Sequence, residues 1–369
     1  MNKTNKIFIA GHKGLVGSAI TEKLINRGFT NLLTKTHKEL DLTNQKLVNE
    51  FFYEEKPSYV ILAAGKVGGI YANNTYPADF IYKNLMIQSN VIDASYNNNV
   101  KRLLFLGSSC IYPKSVTQPM NENAILTDTL EPTNEPYALA KIAGIKLCES
   151  YNRQHDTDFR SVMPTNLYGK NDNFHLKDSH VIPSVMRRLH LAKCIELEDW
   201  KSFKLDLLKR PIPEIDELAP KEKIIIQLQK YGIYAVPNNI DSTFNVTVNI
   251  WGSGNAMREF LHVNDMADAS LFVLGLDKEV YKLNTKSMIS HINIGTGKDV
   301  TIRDMVQVMK RVTGFNGSIA FDISKPDGAK RKLLDVSRLK KMGWSFEIEL
   351  EDGLKKTYAD YMKGQEYDT

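Results

Sequence analysis

Residues 6–20 read KIFIAGHKGLVGSAI, an apolar run followed by a glycine-rich turn and an amphipathic stretch. Gly11, Gly14 and Gly17 occupy the first, fourth and seventh positions of a G-x-x-G-x-x-G pattern. Glycines at these positions let backbone amides approach a pyrophosphate and let a helix pack close to the strand before it. The pattern alone would also fit an ordinary glycine-rich turn. Its place between a predicted strand and a predicted helix favours a dinucleotide-binding site.

Beyond this fingerprint, strands and helices alternate along the first half of the chain. The sequence predicts strands at residues 6–10, 59–64, 102–106 and 159–163, and helices at residues 45–54, 78–97 and 136–154. Pro136 suits the first turn of the last of these helices, with Thr133 or Asn134 as its cap. This order of elements predicts an α/β fold of the Rossmann type with a doubly wound parallel sheet.

The second half of the chain has shorter elements, separated by loops rich in Asn, Gly and Pro. We predict a dinucleotide-binding domain at residues 1–166, to which the chain returns within residues 258–297. A smaller C-terminal α/β substrate domain is expected at residues 167–369. Within it, residues 195–245 carry charge and several prolines but no catalytic motif. We interpret them as an insertion with one short helix at residues 221–231.

Composition excludes several classes of protein. The chain has 369 residues, 42% of them hydrophobic, which fits about two globular domains. No apolar run approaches the roughly 18 residues of a membrane span, and the run at residues 7–10 is too short for a signal peptide. The three cysteines form no motif, so we expect a reducing cytoplasm and no metal site. The net charge of +5 is mild and its basic residues are scattered, which favours an anionic small ligand over nucleic acid.

A serine and a tyrosine–lysine pair indicate carbonyl chemistry. Ser108 follows a predicted strand, and Tyr137 and Lys141 stand one turn apart on the same helix face. A neighbouring ammonium group favours an ionised phenol, so we expect Lys141 to lower the pKa of Tyr137 and to hold the nicotinamide ribose. Tyr137 would exchange a proton with a substrate oxygen that Ser108 holds by a hydrogen bond. The pair alone also fits an ordinary helix face, but its place after the fingerprint and Ser108 favours a reductase.

The segment between Gly28 and Lys38 favours NADP over NAD. NAD enzymes usually carry a carboxylate about 20 residues after the fingerprint, where it binds the ribose 2′-hydroxyl. This segment contains no acid, but it offers Lys35, His37 and Lys38 in addition to Lys13 of the fingerprint. These cations suit the 2′-phosphate of NADP, although surface charges would give the same pattern.

Two other residues keep both a structural and a catalytic interpretation. Cys110 lies two residues after Ser108, and a lone cysteine is most often a small buried hydrophobe. His180 lies in the run DSHVIP, which leads into a predicted helix. Its side chain would serve equally well as a structural hydrogen-bonding group.

Longer motifs give the chain a more specific resemblance. Besides the fingerprint they are KVGGI at residues 66–70, NNTYPADFI at 73–81, LGSSCIYP at 106–113, EPTNEPYA at 131–138, MPTNLYG at 163–169, WGSG at 251–254 and MREF at 257–260. With these motifs the chain resembles the GDP-L-fucose synthases, a group within the extended short-chain dehydrogenase/reductase family. The resemblance covers nearly the whole chain apart from residues 195–245.

This resemblance implies an oxidoreductase that is also an isomerase. Such enzymes invert C3 and C5 of GDP-4-keto-6-deoxy-D-mannose and then reduce its C4 ketone with NADPH. By the same resemblance, Cys110 and His180 are the base and the acid of the epimerisation, and Ser108, Tyr137 and Lys141 are the remaining catalytic residues. Protons next to a ketone are acidic because the enolate places charge on the C4 oxygen, and inversion needs one group on each face of the sugar.

The resemblance further implies binding residues and an assembly. Cofactor contacts are expected from Gly11, Lys13, Gly14, Leu15, Val16, Gly17, His37, Asp41, Ala63, Ala64, Tyr137, Lys141, Pro164, Leu167 and His180. Contacts to the GDP-linked sugar are expected from Ser108, Asn166, Arg188, Trp251, Arg258 and Lys332. Guanidinium groups suit a diphosphate because they donate paired hydrogen bonds, although Arg188 beside Arg187 also fits a solvated helix face. Family members are homodimers that pair through the helices near residues 78–97 and 136–154.

Two departures from the family pattern leave alternatives open. Lys13 and His37 stand where relatives often carry arginines for the 2′-phosphate. Histidine is largely neutral at pH 7, which would weaken the preference for NADP. The extra segment between His190 and Trp251 resembles insertions in bacterial relatives that process GDP-6-deoxy-heptoses. A GDP-4-keto-6-deoxy-heptose is therefore the alternative substrate.

Overall fold

The computed structural model describes residues 1–213, 215–216, 218–238, 243–325 and 327–366. In chain order, its first elements are β1 (Ile7–Ala10), α1 (Leu15–Asn26), β2 (Leu32–Leu33), α2 (Gln45–Glu55), β3 (Tyr59–Leu62), α3 (Ile70–Thr75), α4 (Pro77–Asn97), β4 (Arg102–Leu106), α5 (Glu135–His155), β5 (Phe159–Pro164) and β6 (Asn166–Tyr168). The strands and helices predicted for this half are confirmed, with the strand predicted at residues 59–64 ending at Leu62.

The second half of the chain alternates less regularly. Its elements are α6 (Val181–Glu196), α7 (Trp200–Lys209), α8 (Lys221–Leu228), β7 (Ile233–Pro237), β8 (Phe244–Trp251), β9 (Met257–Arg258), β10 (Phe260–His262), α9 (Val263–Gly275), α10 (Lys278–Asn284), β11 (Ile292–Ile294), β12 (Val300–Thr301), α11 (Ile302–Thr313), β13 (Ser318–Asp322), β14 (Arg331–Lys332), α12 (Ser337–Lys341) and α13 (Leu350–Glu366). Among the described residues, no helix has both the length and the apolar character needed to cross a membrane.

The central sheet has six strands in the order β11-β5-β4-β3-β1-β2, and every strand pair is parallel. Strands β1 and β3 are buried along their whole length, as expected where helices cover both faces of a parallel sheet. Phe8 packs into a core cluster on one face, whereas Ile7 and Ile9 pack into a cluster on the other. This confirms the predicted doubly wound α/β fold.

The order of the strands locates the ligand edge. Strand β2 lies on one side of β1, whereas β3, β4 and β5 follow one another on the other side. The direction of winding therefore changes between β1 and β3. In such sheets ligands bind at the carboxyl ends of the strands on either side of this change. The glycine fingerprint follows β1 at that edge.

The chain divides into two compact units. The first contains residues 1–167, 259–299 and 332–348, and the second contains residues 168–258, 300–331 and 349–369. Residues 332–348 were expected in the C-terminal domain, yet the structure groups them with the first unit. The physical reason is packing, because Leu334 and Leu339 are buried in the two core clusters of the central sheet.

The second unit is built around a smaller sheet. Strand β8 pairs in parallel with β13 and in antiparallel with β7. Helix α6 packs on β8 and on α11, and α11 packs on α13. The predicted insertion at residues 195–245 contributes α7, α8 and the edge strand β7; of its residues, 214, 217 and 239–242 lie outside the described part of the chain.

A buried ion pair fixes the insertion to the rest of the second unit. Arg187 of α6 donates from Nε to Asp206 of α7 at 2.9 Å, and both side chains are almost completely buried. Arg210 forms a second ion pair with Asp206 at 3.1 Å, and the hydroxyl of Tyr361 donates to the same carboxylate. A buried charge requires such partners, so α7 is held to both α6 and α13.

Candidate active site and cofactor site

The fingerprint turn accepts glycine alone at two of its positions. Gly11 has φ +86°, and a Cβ there would lie 2.7 Å from the backbone nitrogen of Ala64. A Cβ at Gly17 would lie 2.1 Å from the carbonyl oxygen of Gly11. Any side chain at either position would therefore push the turn away from β3 or from the first turn of α1.

The same turn presents an anion site at the start of α1. Gly14 is the N-cap residue of this helix, and no side chain caps its first turn. The first backbone N–H groups of a helix lack intrahelical acceptors and carry partial positive charge. Leu15, Val16 and Gly17 supply these groups here, so the donor set fits a pyrophosphate.

Two of the predicted cations act on the same carboxylate beyond β2. Glu39 has a lowered pKa because Thr36 donates to it by side chain and backbone, with smaller contributions from the charges of Lys35 and Lys13. Lys13 of the fingerprint and Lys35 of the next loop thus both favour the ionised form of Glu39. Glu39 is a residue that sequence reasoning missed, because it lies just beyond the segment searched for an acid.

His37 contacts a different carboxylate from the one that the two lysines affect. Its side chain is 81% exposed, and its Nδ1 lies 3.7 Å from Asp41 Oδ1. Asp41 also accepts hydrogen bonds from Thr43, which are the main cause of its lowered pKa. His37 is thus paired with an acid in the structure, and the lysines are the better candidates for a phosphate.

The remaining cofactor candidates of the first unit follow the strands of the sheet. Ala63 and Ala64 come directly after β3, and the backbone N–H of Ala63 donates to the Ala10 carbonyl at 3.0 Å. Pro164 ends β5 and Leu167 lies in β6. The carboxyl ends of parallel strands share one sheet edge, which places Pro164 at the edge where the fingerprint lies.

The structure brings Ser108, Tyr137 and Lys141 together. Ser108 follows β4, and its side chain lies near the phenol of Tyr137, where it acts to lower the pKa of that group. The Nζ of Lys141 lies 5.8 Å from the centroid of the Tyr137 ring. A strand end and the first turns of α5 thus supply the three groups that a carbonyl reductase requires.

The expected direction of the Tyr137 pKa is wrong. Burial raises the pKa of Tyr137 above its usual value, and the nearby Cys110 raises it further, while the hydrogen bond from Ser108 acts in the opposite direction. Burial also lowers the pKa of Lys141 to about 8. Desolvation disfavours the charged form of both groups. A phenol that keeps its proton remains suited to donate it.

Cys110 lies in the same cluster. It occupies a short 3-10 turn at Ser109–Ile111, and its backbone N–H donates to Ser108 Oγ at 3.3 Å. The Nδ2 of Asn134 lies 3.3 Å from its sulfur. Cys148 and Cys194 are buried, whereas Cys110 is partly exposed. Its position beside the triad distinguishes it from a cysteine of the core.

Asn134 is a second residue whose role sequence reasoning missed. It was expected only as a candidate cap for the helix that contains Tyr137. The N-cap position is confirmed, but its side chain makes no capping hydrogen bond. No spacing rule connects it to Cys110, since the two residues lie 24 positions apart in the chain.

In the second unit, His180 and Arg188 lie on the same helix. His180 is the N-cap residue of α6, without a side-chain capping bond. His180 is exposed, and desolvation by the groups around its ring lowers its pKa, which favours the neutral imidazole. Burial lowers the pKa of Arg188 to about 10. Its Nε has no hydrogen-bond partner among the described residues, so this guanidinium retains a donor for an anion and does not lie on a solvated helix face.

Two further substrate candidates of the second unit lie at the ends of strands. Trp251 ends β8 with 64% of its surface exposed, and Lys325 Nζ lies 5.7 Å from its ring centroid. Arg258 ends β9, donates to the carbonyls of Met257 and Ala329 at 2.7 Å, and has a pKa lowered by burial. An exposed aromatic face suits a base, and a partly desolvated guanidinium suits a phosphate.

Asn166 and Lys332 belong to the first unit. The Nδ2 of Asn166 donates to the Glu259 carbonyl at 2.9 Å, which fixes the orientation of the amide. Lys332 ends β14, and its carbonyl accepts from the backbone N–H of Glu259 at 3.3 Å. Both positions are therefore held by the same buried residue.

A fingerprint turn at the edge of a doubly wound sheet, with Ser108, Tyr137 and Lys141 nearby, defines a nucleotide-dependent oxidoreductase fold. The chain belongs to the NAD dependent epimerase/dehydratase family, whose model matches residues 7–206 and 233–295. The unmatched residues 207–232 lie inside the predicted insertion.

Comparison with known proteins supports a narrower group. The chain is 51% identical over 361 residues to a GDP-L-fucose synthase of Escherichia coli K12, with 98% of each chain covered. It is 50% identical over 362 residues to GDP-L-fucose synthase 1 of Arabidopsis thaliana, with 98% of this chain and 94% of the relative covered.

Two solved structures match over nearly the full length of both chains. One is a GDP-D-glycero-L-gluco-heptose synthase from Campylobacter jejuni in the presence of NADPH, at 40% identity and a TM-score of 0.87. The other is a GDP-mannoheptose C4 reductase from the same organism with NADP bound, at 39% identity and a TM-score of 0.83. In both comparisons 98% of this chain and 99% of the other are covered.

Proposed function

We propose that this protein is an NADPH-dependent epimerase and reductase that converts GDP-4-keto-6-deoxy-D-mannose to GDP-L-fucose. The observation that carries this proposal is the cluster of Ser108, Cys110 and Tyr137, which adds a thiol to the hydroxyls of a carbonyl reductase. A reductase alone has no use for the thiol. Identity of about half to GDP-L-fucose synthases of two organisms supports the same conclusion.

The proposed epimerisation uses one residue to remove a proton and another to return it. Cys110 is the base and His180 is the acid, each acting at C3 and then at C5. The ketone oxygen takes the negative charge of the enolate, and Ser108 and Tyr137 stabilise that charge by hydrogen bonds. A neutral His180, which its lowered pKa favours, still carries one N–H and can donate that proton.

The proposed reduction uses the same oxygen. Tyr137 donates its proton to the developing alkoxide, and Lys141 holds the ribose next to the nicotinamide. NADPH supplies the hydride when it is bound. Its pyrophosphate would lie on the amides of Leu15, Val16 and Gly17, and Lys13 and Lys35 would bind its 2′-phosphate.

The GDP group requires anion donors and an aromatic surface. Arg188 and Arg258 are proposed for the diphosphate, because both guanidinium groups are desolvated and both retain directional donors. Trp251 is proposed for the base because its ring is exposed. Asn166 is proposed to position the sugar, and Lys332 is proposed to face the GDP.

A second candidate substrate is the corresponding GDP-4-keto-6-deoxy-heptose. The specific observation in its favour is the structural similarity to the two Campylobacter enzymes, at TM-scores of 0.87 and 0.83. Both enzymes are named for reactions of GDP-linked heptoses. The fucose synthases remain the better-supported group because their sequence identity is higher.

The test offers purified enzyme each keto-sugar separately, with NADPH in deuterated water. We expect deuterium at C3 and C5 of the product and formation of GDP-L-fucose from the hexose. If the enzyme converted the heptose but not the hexose, the GDP-4-keto-6-deoxy-heptose would be its substrate. If the wild-type enzyme reduced the ketone without placing deuterium at either carbon, the proposed roles of Cys110 and His180 would be wrong. Cys110→Ser is the matched variant, and it should reduce the ketone without exchanging deuterium.

We also propose that the protein is a cytoplasmic homodimer that pairs through α4 and α5. Tyr82 of α4 and Leu139 of α5 are 62% and 42% exposed, and an apolar surface on these helices suits a partner copy. Three free cysteines fit a reducing compartment. Sedimentation of the wild type and of Leu139→Glu tests the dimer, since the charge should yield monomers.

A further inference from the structure

Asn134 occupies a helix-capping position without acting as a cap. Asparagine is among the preferred N-cap residues because its side-chain oxygen accepts a backbone N–H of the first turn. In α5 this bond is missing, and the amide instead donates from Nδ2 to Cys110 Sγ at 3.3 Å. Asn134 is suited to stabilise the start of α5, but its side chain forms a hydrogen bond with the thiol of Cys110 in place of a cap.

Two hydrogen bonds hold the backbone of Asn134 at the start of α5. The backbone N–H of Asn134 donates to the Glu131 carbonyl at 3.1 Å, and its carbonyl accepts from Ala138 at 3.0 Å. Its Oδ1 is buried and has no hydrogen-bond partner among the described residues. Among the described residues, the hydrogen bond to Cys110 is thus the one side-chain contact of the Asn134 amide.

Among the described residues, Asn134 makes the one side-chain hydrogen bond to the sulfur of Cys110. Tyr137 is the titratable group that faces Cys110 from α5, and a phenol that stays neutral supplies no positive charge. Lys141, one turn further along, donates its Nζ to the Leu106 carbonyl at 2.9 Å. An N–H donor favours the anionic form of the atom that accepts from it, and the thiolate is the form of cysteine that acts as a base.

We propose that Asn134 is a positioning residue for the epimerisation, which orients the sulfur of Cys110 and stabilises its thiolate. The proposal rests on the role of Cys110 as the base. In each proton removal, the C–H bond next to the ketone breaks, an S–H bond forms, and the electron pair moves onto the C4 oxygen as an enolate. The amide favours the state of the thiol from which this step starts.

The first test measures the thiol itself and needs no substrate. The full chain is alkylated with iodoacetamide between pH 6 and 10, with Cys110→Ser as the background, because Cys148 and Cys194 are buried. We expect Asn134→Ala to lower the rate at pH 7 by about tenfold or more, since a hydrogen bond to a charged group has that value. The rate should fall further in Asn134→Asp, whose carboxylate repels a thiolate.

Matched variants separate this effect from helix stability. Asn44 is the N-cap residue of α2, and its side chain does cap by accepting from Leu47 N at 3.3 Å. Asn44→Ala should lower stability and leave alkylation unchanged. Asn134→Ser retains a capping residue without the amide, so it provides a folded variant if Asn134→Ala does not fold. Wild-type alkylation in a folded Asn134→Ser or Asn134→Ala protein would overturn the proposal.

The second test separates epimerisation from reduction. Asn134→Ala should slow deuterium exchange at C3 and C5 by at least about tenfold, and should change oxidation of GDP-L-fucose by NADP⁺ by no more than about twofold. Equal loss of both reactions would mean a general structural role and would overturn the proposal. If the wild type exchanges no deuterium, the proposed function fails, while the alkylation series still decides whether Asn134 controls the thiol.

Discussion

The Nζ of Lys141 donates a hydrogen bond to the carbonyl oxygen of Leu106 at 2.9 Å. The lysine is 5% exposed, and no carboxylate among the described residues forms an ion pair with it. Burial without a counter-charge lowers its pKa from 10.5 to about 8. The group that the reduction requires as a cation is therefore also a source of instability in the fold.

Replacing Lys141 with methionine should stabilise the protein at neutral pH. Below about pH 8 the lysine is protonated in both the folded and unfolded states, and the folded state carries the whole desolvation penalty, on the order of 3 kcal/mol. Between about pH 8 and 10.5 only the unfolded chain holds the proton, so wild-type stability rises with pH across this window. After loss of the bond to Leu106, we expect a gain of ~1–2 kcal/mol at pH 7 that disappears above about pH 10.5.

Urea unfolding at pH 7, 9 and 11 measures this gain. Lys101→Met is the matched control, because Lys101 is exposed and should show no such pH dependence. A Lys141→Met protein that is less stable than wild type at pH 7, or whose gain persists at pH 11, would contradict the desolvation argument.

The same pKa predicts an alkaline limb in the reductase reaction. As pH rises through about 8, Lys141 loses its proton and no longer provides the positive charge proposed to bind the ribose. The rate of ketone reduction at saturating NADPH should therefore fall above this pH. Lys141→Arg retains a charge at all these pH values, so its residual activity should show no fall. An alkaline limb that is unchanged in this variant would assign the limb to another group.

Sequence reasoning succeeded where the relevant contacts are local. Ser108 follows a strand, and Tyr137 and Lys141 share one helix face, so strand ends and helical spacing were enough to bring them together. The pKa of Tyr137 could not be predicted in this way, because its direction depends on burial by the whole fold. Asn134 was missed for a similar reason, since its contact with Cys110 joins a helix start to a distant turn.

Sequence reasoning also failed to predict which of the two units contains residues 332–348. These residues follow loops and short elements that belong to the second unit. Leu334 and Leu339 nevertheless pack into the cores of the central sheet. Periodicity identifies a buried face but not the core that buries it.

The buried pair of Arg187 and Asp206 should be essential for the stability of the second unit. Asp206→Asn removes the charge that balances Arg187 and Arg210, and breaking a buried pair costs ~3–5 kcal/mol. We expect a loss of this size in urea unfolding. Glu50→Gln, in the exposed pair with Lys46 at 3.8 Å, should change stability by less than ~0.5 kcal/mol. A similarly small effect of Asp206→Asn would show that water or rearrangement compensates the charge.

Cofactor preference should depend on the balance of charge around Glu39. Lys35→Ala should raise the KM for NADPH by about tenfold and leave that for NADH nearly unchanged, since only NADPH carries the 2′-phosphate. Glu39→Gln should lower the KM for NADPH several-fold, because it removes a negative charge beside Lys13 and Lys35. His37→Ala is the comparison variant, and its effect should be smaller because His37 faces Asp41. Steady-state kinetics with both cofactors would contradict this assignment if the His37 variant had the largest effect.

Tyr137→Phe should abolish most of the reduction and leave the fold intact. The ring packs edge-on against Phe80, with 6.2 Å between ring centroids, and phenylalanine preserves this contact. Loss of the positioned proton donor should lower turnover by roughly 10²–10⁴-fold with little change in the KM for the sugar. Tyr151→Phe on the same helix removes a hydroxyl that donates to Asp93 at 2.6 Å and should leave turnover unchanged. Measurement of NADPH oxidation at saturating substrate distinguishes the two variants. Turnover of Tyr137→Phe within tenfold of wild type would mean that another group delivers the proton, and Ser108, which lies near Tyr137, would be the first residue to test in its place.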